Sequence, residues 1–149
     1  MALFEQINED IKSAMKARDK VRLETLRNIK KVFLEAITAP GSNGELKDDA
    51  ALKIIQKLAK QGRETAKTYE DNHRPELAEA ELAQVNVLES YLPQQLSEAE
   101  IRDKVQAVIT EIGATDIKQM GRVMGLVTKQ LAGQADGKVV ATIVRQLLA

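Results

Sequence analysis

The chain contains no cysteine, no tryptophan and one histidine in 149 residues, and each shortage removes a class of chemistry. Without cysteine there is no disulfide framework, no thiolate metal site and no cysteine nucleophile. With His73 as the one imidazole, a zinc site needs an unusual all-carboxylate shell around it. His73 lies in Glu70-Asp71-Asn72-His73-Arg74-Pro75, a charged stretch between helices, and is expected to be exposed. Aromatics make up 3% of the chain, and Phe4 and Phe33 fall on core stripes. That leaves no stacking platform for single-stranded bases. No apolar run is long enough to span a bilayer, and Met1-Ala2-Leu3-Phe4-Glu5-Gln6 carries an early acid, unlike a signal peptide. A cytoplasmic protein with no membrane partner is expected. The Gly41-Ser42-Asn43-Gly44 loop lacks the Gly-Lys-Ser/Thr ending of a phosphate-binding loop and reads as a connector. No Gly-x-Ser-x-Gly elbow occurs, and Glu76, Glu79 and Glu81 read as solvated. The sequence thus points to no catalytic residue, no metal ligand and no cofactor.

What is present is helical periodicity in a chain that is 44% hydrophobic and 30% charged. Phe4, Ile7, Ile11, Ala14 and Met15 trace one stripe; Leu23, Leu26, Ile29, Phe33, Ala36 and Ile37 trace a second, with Asp19 placed to cap it. Ala51, Ile55, Leu58, Ala66 and Tyr69 form a third, with Gly62 in its middle. Pro75 suits the start of a fourth helix whose expected buried face is Leu82, Val85, Leu88 and Leu92. Pro93 stops it. Ser97 and Glu100 then make a capping box for a fifth helix with Ile101, Val105, Val108 and Ile112 inside and Gly113 as its C-terminal cap. A sixth begins near Asp116, buries Met120, Val123, Met124, Val127 and Leu131, and ends at Gly133. A seventh starts at Asp136. The expected fold is all-α: a four-helix N-terminal domain over residues 1–92, a linker at 93–96, and a three-helix C-terminal domain over 97–149.

Zero net charge conceals a polarised chain. From Lys12 to Lys31 the balance is +6, from Glu70 to Glu100 it is −7, and from Ile117 to Ala149 it is +4. The first two blocks read either as solvated helix faces attracting each other within the fold or as surfaces for outside partners. Within the last block, Gly121 and Gly125 lie four apart in an amphipathic helix, where each costs roughly 0.5–1 kcal/mol relative to alanine. Two explanations stand side by side: close packing against the seventh helix, or approach of a ribose-phosphate chain with Lys118, Arg122 and Lys129 pairing with phosphates.

Four motifs in order, Lys16-Ala17-Arg18-Asp19-Lys20-Val21-Arg22-Leu23-Glu24-Thr25-Leu26-Arg27, Tyr91-Leu92-Pro93-Gln94-Gln95-Leu96-Ser97, Met120-Gly121-Arg122-Val123-Met124-Gly125 and Ala135-Asp136-Gly137-Lys138, resemble the GatB/YqeY family over nearly the whole chain. The resemblance implies kinship with the C-terminal tail of the B subunit of the glutamine-dependent amidotransferase, a carbon-nitrogen ligase acting on mischarged tRNA. It implies tRNA docking at Lys118, Gly121, Arg122, Gly125, Lys129 and Lys138, without catalysis by this polypeptide alone. A non-catalytic tRNA- or structured-RNA-binding protein associated with translation is the first expectation. A protein-interaction module and an RNA-binding component of an amidotransferase complex are the alternatives.

Overall fold

A computed structural model describes residues 2–149; Met1, the first residue of the expected N-terminal domain, lies outside them. Regular structure among these residues is entirely helical. The helices are α1 (Leu3–Ala17), α2 (Lys20–Thr38), α3 (Asp48–Asp71), α4 (Pro75–Glu89), α5 (Glu98–Ile112), α6 (Met120–Gln130) and α7 (Gly137–Leu148), with a 3₁₀ turn at Ile117–Gln119 leading into α6. The chain divides into two compact units, Met1–Leu92 and Pro93–Ala149.

In the first unit, Arg18 adopts a left-handed conformation with φ 55° and closes α1. Its N–H reaches the Met15 carbonyl at 3.2 Å, and that of Asp19 reaches Ala14 at 3.1 Å. The Asp19 carboxylate then accepts from the Arg22 N–H at 3.1 Å, so a two-residue break suffices to start α2. Pro40 ends α2 by forcing Ala39 into an extended conformation. A turn with Gly41, Asn43 and Gly44 at positive φ follows, as expected of a connector. The core of this unit is built from Ile7, Leu26, Ile29, Phe33, Ala51, Ile55, Ala59, Val85 and Leu88, with Phe4 and Phe33 tilted at a 6.2 Å centroid separation.

Two apolar expectations fail here. Met15 is 53% exposed, because it falls beside rather than on the Ile7 and Ala14 row and the hairpin turn leaves it no neighbour to cover it. Leu82 is 39% exposed, because the buried row of α4 runs through Ala78, Val85 and Leu88 and Leu82 falls at its edge. Close packing of α3 on α4 is found at Gly62, where an added Cβ would meet Val85 Cγ2 at 2.6 Å.

The second unit buries Ile101, Val105, Val108, Val123, Val127, Leu131, Val140, Ile143 and Val144 among α5, α6 and α7. The capping box forms as expected: Ser97 Oγ accepts from the Glu100 N–H, and the Glu100 carboxylate accepts from the Ser97 N–H, both at 3.2 Å. These bonds hold the Glu100 carboxyl below its ordinary value. Gly113 caps α5 at φ 69°. The sixth helix differs from expectation at both ends. Asp116 caps the 3₁₀ turn, and α6 begins at Met120 and ends at Gln130, so Leu131 is its C-cap and Gly133, at φ 76°, lies in the loop beyond. Asp136 caps α7 through the Lys138 N–H at 2.9 Å.

Candidate functional site

The face of α6 follows from its apolar spacing. Val123 and Val127 are fully buried, and Met120 and Met124 pack partly against the same core, which fixes the inward side of the helix. At about 100° per residue, positions 121, 125 and 129 then fall in one row on the outer half, with 122 in the row beside it. Gly121, Arg122, Gly125 and Lys129 are all exposed. A Cβ built on either glycine meets nothing within 4 Å. Of the two explanations for the glycine pair, packing against α7 is therefore not the one realised in this fold. Close helix packing does occur, but at Gly62.

Lys118 is exposed in the 3₁₀ turn at the entry to α6, where its N–H is held by Asp116 Oδ1 at 2.9 Å. Lys138 belongs to a different element: it is exposed in the first turn of α7, past the loop that follows α6. The structure thus brings Gly121, Arg122, Gly125 and Lys129 onto one side of one helix, places Lys118 at its start, and leaves Lys138 off that face. Among the described residues, Lys118, Arg122 and Lys129 have no carboxylate at ion-pair distance. Their charge is presented to solvent, on a strip interrupted by two residues without side chains.

Among the described residues, the attraction expected between the basic and acidic blocks is not realised as ion pairs: Lys12 pairs with Glu9, Arg22 with Asp10 and Arg63 with Glu89, and none of these joins the Lys12–Lys31 block to the Glu70–Glu100 block. Most residues of the basic block are exposed, while Lys12, Arg22 and Glu89 are paired with partners outside the opposite block.

A polar cluster joins residues that no sequence pattern brings together. Tyr91 donates its hydroxyl to Asp10 Oδ2 at 2.5 Å, Arg22 reaches the same hydroxyl at 3.4 Å, and Arg22 lies 3.7 Å from Asp10. Partners 69 and 81 residues apart share no periodicity that would announce them. The one available signal was that Arg22 and Tyr91 each sit inside a recognisable motif. Burial pushes the phenol upward, and the Asp10 hydrogen bond and charge push it the same way, against a smaller opposing effect of Arg22. A phenol held in its protonated form is a donor, and the cluster ties α1, α2 and the turn after α4 together.

After Tyr91 the chain is fastened to the second unit. The Gln95 side-chain amide donates to the Gly133 carbonyl at 2.6 Å, and the Leu96 N–H donates to Gln134 at 2.9 Å. The segment from 93 to 96, expected to be a linker, is therefore bonded along its second half into the loop after α6. Among the described residues, no three or more His, Asp or Glu side chains gather as a metal site would require, and no helix is long and apolar enough to cross a membrane.

Comparison with known proteins covers the same span. Residues 4–148 match the family described as Yqey-like protein. The chain is similar to proteins named "Altered inheritance of mitochondria protein 41, mitochondrial". That of Pyrenophora tritici-repentis is 28% identical over 147 residues, 96% of this chain and 79% of the relative. That of Meyerozyma guilliermondii is 28% identical over 131 residues, 85% and 67% of the two chains. The Lachancea thermotolerans protein is 31% identical over 109 residues, 71% and 57%.

Proposed function

We propose, from the premise that this chain belongs to the YqeY-like family, that it is a non-catalytic protein that binds tRNA or another structured RNA and serves translation. The observation that carries the reading is the open glycine pair: Gly121 and Gly125 meet no atom of the chain on their outer side. Two residues that weaken a helix and relieve no internal crowding are accounted for by a partner that needs the backbone bare. Lys118, Arg122 and Lys129, lacking carboxylate partners among the described residues, supply cations for phosphates on that strip. Lys138 extends the contact from α7. The absence of stacking aromatics on this face suits a folded RNA read through its backbone rather than unpaired bases. We also propose that the four-helix and three-helix units are separate domains, the second carrying the RNA contact. The relatives' names describe them as mitochondrial, whereas the N-terminal stretch, unlike a signal peptide or membrane span, suggested the cytoplasm; translation, with its own tRNA, is common to both settings, and we place the protein there.

A titration of total tRNA at two salt concentrations tests this. Micromolar binding that weakens with salt is expected, and Arg122→Ala with Lys129→Ala should reduce it about tenfold. Unchanged binding in that double variant removes the surface. A second reading, a protein-docking module, is favoured by Ile117 and Leu126, which are 43% and 38% exposed beside the same strip. Recovery of the same translation proteins after nuclease treatment would select it over RNA.

A further inference from the structure

The basic block of the first unit has a geometry that the RNA reading of the second unit does not use. On α2 the inward side is set by Thr25, Leu26, Ile29 and Phe33, all buried. Lys20, Arg27 and Lys31 lie at i, i+7 and i+11, which at 3.6 residues per turn is one row, diametrically opposite that core. All three are exposed. Glu24 is the one acid in the row between them, yet none of the three cations has a carboxylate at ion-pair distance among the described residues. Near the start of the row the end of α1 and the tight turn add Lys16 and Arg18, both exposed.

We infer that this ridge of α2 is a second RNA contact, seated on the phosphates of a double-helical segment. The inference rests on the reading of the protein as an RNA binder but uses a different surface in a different unit. A rigid helix displays Arg27 and Lys31 about 6 Å apart along its axis, comparable to the separation of neighbouring phosphates, and Lys20 about 10 Å further back. Protein interfaces are built around apolar and aromatic centres; the row from Lys20 to Lys31 holds none, and the exposed Val21 and Leu34 are single side chains near its two ends rather than a centre. A repeating anion is the partner that a row of this composition fits. Because the contact is to backbone charge alone, it provides affinity without sequence preference.

The test is the salt dependence of binding to a short blunt-ended RNA duplex by the full chain, its triple variant Lys20→Gln, Arg27→Gln, Lys31→Gln, and the double variant Arg122→Ala, Lys129→Ala. The triple variant should keep its melting temperature and lower the slope of log affinity against log salt by about 2 to 3, since each neutralised phosphate contributes about 0.9. Lys20→Arg with Lys31→Arg should retain the parental slope. A triple variant with the parental slope overturns the inference, as does parental protein that fails to bind the duplex at low salt. Polyglutamate competing as well as RNA at equal charge also overturns it, since an acidic protein is then an equal partner. If the triple variant loses slope while the double variant binds normally, the ridge stands and the α6 surface falls; the reverse result sinks the ridge alone.

Discussion

Glycine occurs in this fold for opposite reasons at different positions, and single substitutions separate them. At Gly62 an added methyl collides with Val85, a buried β-branched side chain with little rotameric freedom. Gly62→Ala should therefore destabilise the first unit by about 1–3 kcal/mol, the cost of overpacking. At Gly125 the same change meets open space, and removal of a helix-interior glycine should raise stability by roughly 0.5–1 kcal/mol. Thermal denaturation of the two variants measures both signs; a loss of stability in Gly125→Ala would show that its outer side is covered. The sequence showed that the 121 and 125 pair needed explaining, but Gly62 looked no different from it. Which glycine lies against a neighbour depends on helix approach, and a single chain's periodicity does not record the distance between two helices.

Helix boundaries were largely legible where a local group decides them. Asp19, Ser97, Asp136 and Gly113 cap the helices the sequence assigned to them, because a cap is satisfied within three or four residues of itself. The start of α6 was less legible: Asp116 does cap, but the turn it caps is 3₁₀ before it becomes α. Side-chain bonds between residues far apart in sequence were not legible, and the Tyr91, Asp10 and Arg22 cluster is the chief case. Its effect on stability has a pH signature. The phenol is raised above its ordinary value of 10.0, so the folded state disfavours ionisation that the unfolded chain permits. The stabilisation is complete below pH 10 and is lost as pH rises beyond it. Tyr91→Phe should lower the melting temperature of the first unit at neutral pH and flatten the alkaline decline. A decline of unchanged steepness above pH 10 would assign that loss to other groups.

At the scale of the whole chain, two cores with separate membership imply two unfolding events. Residues Met1–Leu92 and Pro93–Ala149 each bury their own apolar set, the second in a unit small enough to be marginal alone. Calorimetry should resolve two transitions, with Gly62→Ala moving only the one belonging to the first unit. A single transition shifted as a whole by that change would mean the units unfold together. The candidate site is legible in the same uneven way: the identity of the basic and glycine positions came from sequence, but their openness did not, since a face is open only relative to neighbours that the fold supplies. The hydrogen bonds from Gln95 and Leu96 to the loop after α6 bear on how the chain is cut. A protease entering near the boundary finds Gln95 and the Leu96 N–H already engaged, whereas the turn at Gly41–Gly44 is largely exposed and bonded only to itself and its immediate flanks. The first nick should fall inside the N-terminal unit, so that limited digestion of this two-unit chain does not release its two halves.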